Sequence, residues 1–203
     1  MDLDGALRER LVDAGVELVL SEGTAFVGLR EIARRAGVSH GAPRRYFPTH
    51  RALLSAIARR GFEELGARSA AATAETAAPR EKLTALARVY VTYALERRGM
   101  FELMFRHDLL DSGRQHEAAD GPRLREATLP MFERVVDLVA RCRAEAVEPA
   151  AAVTAAALWT NLHGIAQLWS WGSLQLALGG PGDGGPDRLI EAALDAHLGP
   201  TAW

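Results

Sequence analysis

Apolar residues recur every three to four positions along most of this 203-residue chain, which is the spacing of one face of an α-helix. Leu11, Leu18 and Val19 mark a first helix that ends near Glu22. No stretch alternates with the two-residue period of a β-strand. The pattern therefore predicts an all-α fold with about nine helices. After the first helix, the others are expected within residues 28–47, 49–66, 79–98, 122–146, 149–178 and 189–198.

Residues 28–47 predict two short helices joined by a tight turn. Leu29, Ile32 and Ala36 fall on one face of the first of these helices. Gly37 stands where the end of a helix needs the left-handed conformation that glycine adopts most easily, and the Ser39 side chain is expected to cap the helix that follows. Two helices joined in this way are typical of the helix-turn-helix motif, whose second helix enters the major groove of DNA.

Charge separates this motif from the rest of the chain. The whole sequence carries a net charge of −2, which argues against a protein that coats nucleic acid generally. Residues 30–60 nevertheless contain eight arginines and a single acidic residue, Glu31, for a net charge of +7, whereas residues 61–203 are net acidic. A basic block that coincides with a helix-turn-helix predicts a local DNA-binding face.

Other function classes find no support in the residues. Cys142, the single cysteine, lies at the apolar spacing of a helix, which predicts a buried thiol without a disulfide framework or a Cys-rich metal site. No nucleophile–base arrangement, metal-ligand spacing or cofactor motif in its required context stands out, so no catalytic residue, metal or cofactor is predicted and an enzyme is not expected. The absence of a secretion signal and of an apolar stretch of about 18 residues predicts a cytoplasmic protein without a membrane partner.

Residues 9–60 resemble the N-terminal DNA-binding domain of TetR-type transcriptional repressors. The resemblance rests on the runs LVDAGVELV from Leu11, SEG from Ser21, LREIARRAGVS from Leu29, RYFP from Arg45 and RALLSAI from Arg51. A second run, LWTNLHG from Leu158 to Gly164, resembles the Trp-x-x-x-His-Gly signature of the WHG subgroup of these regulators.

The resemblance implies a homodimer whose two helix-turn-helix motifs each bind half of a palindromic double-stranded DNA operator. It implies a DNA-binding domain over residues 1–48 and an effector-binding and dimerisation domain over residues 49–203, with helix 49–66 bridging the two and the last two helices forming the dimer interface. A small-molecule effector would bind the DNA-incompetent state more tightly and thereby release the operator. A regulator that needs no effector and an activator are open alternatives.

Matched position by position, the resemblance assigns the DNA contacts to the second motif helix and its flanks. Arg44 stands where the family usually has Tyr, and a guanidinium that pairs with guanine O6 and N7 predicts a more GC-rich operator. His50 replaces the usual Lys at a phosphate contact, and Gly28 stands where a Thr or Ser cap is common. Tyr46 has the alternative of packing under Phe47. The implied DNA contacts are Arg30, Ser39, His40, Gly41, Arg44, Arg45, Tyr46, Thr49 and His50.

Trp159 and His163 lie four residues apart and share one helix face, which Gln167 continues. A mostly apolar pocket with a few polar anchors suits a small apolar or aromatic effector. The same aromatic spacing is also typical of a packed core or a dimer interface, and both interpretations are open from the sequence. The candidate pocket residues are Tyr90, Met104, Phe105, Met131, Phe132, Val135, Trp159, His163 and Gln167.

Overall fold

The computed structural model describes residues 3–75, 78–106, 109, 124–143, 149–180 and 184–200. These residues form ten α-helices and a 3₁₀ turn (Thr24–Phe26), and no β-strand occurs among them, so the predicted all-α fold is confirmed. No helix in these ranges is long and apolar enough to cross a membrane. The helices are α1 (Leu3–Glu22), α2 (Leu29–Arg35), α3 (Pro43–Tyr46), α4 (His50–Ala72), α5 (Pro79–Glu96), α6 (Arg98–Met104), α7 (Leu124–Cys142), α8 (Ala151–Ser170), α9 (Ser173–Ala177) and α10 (Asp187–Leu198).

Backbone conformation ends the helix predicted over residues 149–178 earlier than expected. Gly172 adopts the left-handed φ of 76°, through which an α-helix cannot continue. The helix therefore ends as α8 at Ser170, and the chain restarts as the short α9. The loop predicted over residues 107–122 lies outside the described residues except for Leu109, which is buried.

The second motif helix also starts later than its predicted cap. The Ala42 N–H donates to the Ser39 carbonyl at 3.0 Å in a turn, and α3 then begins at Pro43. Proline suits the first position of a helix because its missing N–H would have no partner there. Ala42 thus holds the N-cap position without a side-chain bond, so the expected cap by the Ser39 side chain does not form.

Met1–Glu64 and Arg97–Thr128 make up one compact unit, called unit 1. Within it α6 packs closely against α1, since a Cβ atom on Gly99 would lie 2.7 Å from the Val19 carbonyl oxygen. Any side chain at residue 99 would have to push the two helices apart. The buried core of unit 1 includes Leu11, Leu18, Ile32, Leu53, Ile57, Met100 and Leu103.

Leu65–Glu96 and Leu129–Trp203 make up the second compact unit, unit 2. Arg80 at the start of α5 donates to the Gly199 carbonyl at 2.6 Å and pairs with Asp195, which ties α5 to the end of α10. The core of unit 2 lies among α5, α7, α8 and α10. It contains Leu83, Ala87, Val91, Leu138, Val139, Ala155, Leu158, Leu162, Ile190 and Leu194.

The two units divide the chain differently from the predicted domains, 1–48 and 49–203. The helix expected to bridge two domains is α4, and its residues are shared between the units at Glu64 and Leu65. Residues 97–128 belong with the N-terminal helices, because Gly99 lets α6 approach α1. Helical spacing alone does not reveal which helix a short apolar segment will pack against.

Candidate nucleic-acid interface

The turn between α2 and α3 is fixed by backbone hydrogen bonds and by one arginine. Gly37 has the predicted left-handed φ, 66°, and its N–H donates to the Arg34 carbonyl at 3.2 Å. The next N–H donates to the Ala33 carbonyl at 3.0 Å, which completes the Schellman motif. The guanidinium of Arg10 in α1 donates to the Ala36 carbonyl at 2.6 Å. Together these bonds end α2 and set the direction in which the chain leaves it.

The outer ends of the motif are also held by side chains that bind the backbone. The Ala52 N–H donates to Thr49 Oγ1 at 3.0 Å, which makes Thr49 the N-cap of α4. His50, the first residue of α4, has its Nε2 atom 2.5 Å from the Val27 carbonyl oxygen. Val27 precedes α2 and is buried, so this contact joins the chain before α2 to the chain after α3.

Several arginines of the basic block are neutralised by carboxylates of unit 1. Arg34 donates to Glu31 at 2.9 Å, and Arg35 donates to Glu31 at 3.1 Å and pairs with Glu22. Hydrogen bonds from Arg34 and Arg35 lower the pKa of the Glu31 carboxyl to about 2. Arg60 pairs in the same way with Glu9 of α1. The formal charge of the block therefore overstates the charge that it offers to a ligand.

Arg30, Arg44 and Arg45 differ from these paired arginines. All three are exposed, and within the described ranges none of them makes an ion pair with a carboxylate. Arg44 and Arg45 are two of the four residues of α3, the second motif helix. Two of these three arginines thus lie on the helix that the sequence assigns to the major groove, and Arg30 lies on α2.

The other implied DNA contacts lie around α3. Ser39, His40 and Gly41 are exposed in the turn before it. Tyr46 is half-buried at its end, next to the buried Phe47. The predicted residues from Ser39 to Tyr46 therefore lie on α3 and the turn that precedes it, while Arg30 lies on α2 and Thr49 and His50 lie at the start of α4.

In unit 2, a hydrogen-bonded aromatic cluster forms between α5 and α8. Trp159 Nε1 donates to Tyr90 Oη at 2.9 Å, and Tyr90 Oη lies 2.8 Å from His163 Nδ1. The ring of Phe132 on α7 lies 6.2 Å from that of Trp159, centroid to centroid. Four of the nine candidate pocket residues are thus brought together.

One donor in this cluster follows from chemistry. An indole N–H only donates, so the Tyr90 oxygen accepts from Trp159. The Tyr90 hydroxyl donates to His163 Nδ1 when a neutral His163 carries its hydrogen on Nε2, and accepts from Nδ1 in the other tautomer. Burial lowers the pKa of His163 and raises that of Tyr90, which keeps both groups uncharged near neutral pH.

The remaining candidate pocket residues are divided between the units. Met131 and Val135 on α7 and Gln167 on α8 are half-buried in unit 2. Met104 and Phe105 belong to unit 1 instead. There, Phe105 packs with its ring centroid 5.6 Å from that of Phe62 and 4.7 Å from that of Phe101, and Met104 is fully buried opposite Gly61.

Sequence reasoning missed two residues that shape the interface, Arg10 and Val27. Arg10 lies on α1, outside the motif, and Val27 contributes only a backbone carbonyl. A long-range contact to a carbonyl leaves no pattern in side-chain types, so no signal in the sequence identifies either residue.

Two family models match most of the chain. The model for bacterial regulatory proteins of the tetR family matches residues 11–57. The model for the tetracyclin repressor-like C-terminal domain matches residues 83–197.

Individual proteins show similarity over different lengths. The HTH-type transcriptional regulator BetI of Rhizobium meliloti (strain 1021) is 40% identical over 82 residues, which is 40% of this chain and 40% of BetI. A solved protein with unknown function from Rhodococcus sp. RHA1 is 31% identical over 95% of this chain and 93% of that one, with a TM-score of 0.72. The multidrug binding protein EbrR, solved with imidazole, is 26% identical over 96% of both chains, with a TM-score of 0.56.

Proposed function

Since the chain belongs to the tetR family of bacterial regulatory proteins, we propose that this transcriptional regulator is a homodimeric repressor that a small-molecule effector releases from a palindromic operator. The observation that carries the DNA-binding role is the exposure of Arg44 and Arg45 on α3, while Arg34, Arg35 and Arg60 are paired with carboxylates. Binding DNA therefore costs Arg44 and Arg45 no intramolecular ion pair.

In this proposal, α3 lies in the major groove, and Arg44 and Arg45 bind guanine edges through two parallel N–H donors. Arg30, His40 and the backbone at Gly41 flank the same groove, while Tyr46 and the Thr49 region bind phosphates, which sets the register of the protein on DNA. BetI, the relative named above, is described as an HTH-type transcriptional regulator. The match to it spans less than half of its length, so BetI supports the mode of binding and not its target.

Selection of bound sequences from random duplex DNA, followed by titration of the selected duplex, tests the DNA-binding role. The double variant Arg44→Ala/Arg45→Ala is expected to bind at least about 30-fold more weakly, because each lost guanine contact costs about 1–3 kcal/mol. The matched control Arg60→Ala removes a charge that Glu9 already neutralises and should stay within about threefold of the wild type. Equal losses in both proteins would contradict the proposed interface.

The dimer is supported by the outward face of α8. Val153 and Leu168 are exposed there, Trp171 directly after the helix is 60% exposed, and a Cβ atom on Gly164 would meet no atom of this chain within 4 Å. Exposed apolar residues flanking a glycine allow a second helix to pack closely. Because a two-fold dimer presents the same patch twice, we propose that α8 and α10 pair with their copies in the partner subunit.

Gly164→Arg tests this interface through the mass in solution. The arginine meets open space within one chain, so the monomer should fold, while the charge would be buried against a partner subunit. Light scattering should show a dimer for the wild type and a monomer for this variant. Gly66→Arg is the matched control on α4, since Gly66 is also open within the chain, and it should leave the dimer intact.

The effector role rests on the cluster of Tyr90, Phe132, Trp159 and His163. Its residues are aromatic or uncharged, which favours an uncharged apolar or aromatic effector, and Trp159 is 42% exposed. The similar protein EbrR is described as multidrug binding and was solved with imidazole. An effector acts only through its higher affinity for the state that cannot bind the operator.

A thermal-shift screen with uncharged aromatic compounds tests the effector role. A compound that raises the melting temperature should also release the operator. Trp159→Ala should lower the affinity for the compound about tenfold or more, so that both effects need a higher concentration of it. Leu176→Ala is the control, since Leu176 is 85% exposed and lies outside the cluster. Operator binding that no compound affects would favour the regulator without an effector.

A further inference from the structure

We propose that His50 is a positioning residue that closes the helix-turn-helix by joining its two outer ends through the Val27 carbonyl. The inference rests on the proposed DNA-binding function and deepens it. His50 Nε2 lies 2.5 Å from that carbonyl oxygen, across 23 residues of chain. Those residues contain all of α2, the turn and all of α3. The contact therefore joins the two ends of the helix-turn-helix and does not lie within a single helix of it.

The contact lies next to the start of α2, the end of this helix that has no side-chain cap. Gly28 is the N-cap residue of α2, with an extended backbone and no side chain that can bond the first turn. The other end of α2 is fixed by the Schellman bonds and by Arg10. Gly28 has no side chain that could cap α2. The hydrogen bond from the His50 side chain to the Val27 carbonyl therefore holds the chain just before α2.

The far end of the contact is fixed as well. Phe47 after α3 is buried, and Thr49 caps α4, so the backbone at His50 has one defined position. Bonding Val27 from this position fixes the start of α2 relative to the end of α3. Arg30 lies in the first turn of α2, and Arg44 and Arg45 lie in α3, so the contact sets the spacing between the two groups of proposed base-reading side chains.

The chemistry of the contact distinguishes it from a phosphate contact. A carbonyl oxygen only accepts, so His50 Nε2 carries a hydrogen and spends it on Val27. Both the neutral Nε2–H ring and the imidazolium can make this bond, so geometry and not charge is what the ring contributes. A residue that grips phosphate would instead direct this hydrogen to the DNA.

Two amides of matched size test the proposal. A Gln side-chain nitrogen reaches about as far as histidine Nε2, whereas an Asn nitrogen reaches only as far as Nδ1. His50→Gln should therefore keep operator affinity within about twofold of the wild type. His50→Asn and His50→Ala should lose about tenfold, which is the range of one lost hydrogen bond that holds a binding surface. The affinity for unrelated duplex DNA should fall less, because loose base-reading helices still meet phosphates.

The second readout is the protein without DNA. In ¹⁵N–¹H spectra, the amides of Val27, Gly28 and Leu29 should move in His50→Asn and stay near their wild-type positions in His50→Gln. Titrations are made well below the melting temperature of each variant, so that a loss of affinity does not reflect unfolding.

Two results would overturn the inference. One is an operator affinity in His50→Asn equal to that of the wild type. The other is a loss of affinity in both His50→Gln and His50→Asn while the amides from Val27 to Leu29 stay unchanged, which is the behaviour of a phosphate contact. Failure of the proposed function is distinct, since the wild-type protein would then select no DNA sequence.

Discussion

Polar side chains of the helix-turn-helix in unit 1 and of the aromatic cluster in unit 2 have different kinds of hydrogen-bond partner. Around the helix-turn-helix of unit 1, Arg10, Thr49 and His50 bind backbone groups at Ala36, Ala52 and Val27. In the cluster of unit 2, Trp159, Tyr90 and His163 bind one another. Bonds to the backbone fix the path of the chain, whereas bonds between side chains can be exchanged by rotamer changes. The first arrangement suits a surface that must keep its shape on DNA, and the second suits a region that responds to a ligand.

The packing of the helices shows the same contrast. Gly99 in unit 1 is covered by the Val19 carbonyl, so α6 and α1 complete each other within one chain. Gly164 in unit 2 faces open space within the chain. The close approach at Gly99 is thus completed within one chain, while the open face at Gly164 is the one that the proposed dimer would cover.

The largest expected effect is on the closed contact of unit 1. Gly99→Ala places a methyl group 2.7 Å from a backbone oxygen, and the backbone has to shift to accept it. We expect a loss of about 3 kcal/mol in the free energy of unfolding, as for other overpacked sites. Urea unfolding followed by circular dichroism measures it.

Gly66→Ala on α4 is the control for this prediction, since a Cβ atom there would meet nothing within 4 Å. It should raise stability by about 1 kcal/mol, the helix propensity gained over glycine. If both variants shift stability by the same amount, α6 and α1 are not held by a close contact.

A smaller effect is expected at the surface of the rigid motif. Arg44→Ala should lose about 2 kcal/mol of preference at one guanine of each half-site while the other positions keep theirs. Selection of bound sequences by the variant and by the wild type, with Arg34→Ala as the control, measures this preference. An unchanged base preference at every position would remove Arg44 from the base-reading set.

Removing one hydrogen-bonding group from the aromatic cluster of unit 2 should have a smaller effect on stability. Tyr90→Phe removes the hydroxyl that accepts from Trp159 and shares a hydrogen bond with His163 Nδ1, with little change in volume. We expect a loss of about 1–2 kcal/mol in the free energy of unfolding. In a double-mutant cycle with Trp159→Phe, the two losses should add up to more than the loss in the double variant. Additive losses would show that the network is not coupled.

The smallest effect is a dependence of stability on pH. Because burial lowers the pKa of His163, the unfolded chain binds this proton at a higher pH than the folded chain. The free energy of unfolding should therefore fall as the pH drops from about 7.5 to about 5.5, through the ordinary range of histidine. His163→Asn, whose side-chain amide does not titrate and can bond the Tyr90 hydroxyl in place of Nδ1, should show a shallower fall. Equal slopes would mean that His163 is not held neutral by its surroundings.

Most of the fold could be predicted because apolar spacing directly reflects which helix face is buried. The run from Leu29 to Val38 is an example, since its apolar face and the left-handed Gly37 both occur as expected. The contact between α6 and α1 could not be predicted, because the sequence does not show whether a glycine lies against a neighbouring backbone carbonyl or in open space. The end of α8 depends on the backbone angle of Gly172, which the apolar pattern running through it does not reveal.

The candidate site was predictable to the extent that it depends on residue type. Trp159 and His163 share a face by spacing alone, and Tyr90 and Phe132 join them. Met104 and Phe105 are just as aromatic or apolar, but they fill the core of unit 1. Apolar side chains suit a pocket and a core equally well, so composition cannot assign them. The ring of His50 and the guanidinium of Arg10 bind carbonyls, which every residue possesses.

Unit 1 is assembled from two stretches of chain, with a segment of unit 2 encoded between them. The ribosome synthesises the chain from its N-terminus at about 5–20 residues per second, so α1 to α4 are synthesised seconds before α6. The contact between Val19 and Gly99 can form only after residue 99 is synthesised, and α5 is synthesised before that point. The DNA-reading region is therefore synthesised before the helix that completes its unit. A nascent chain released before residue 97 carries all of the proposed base-reading arginines without the helix that packs on α1.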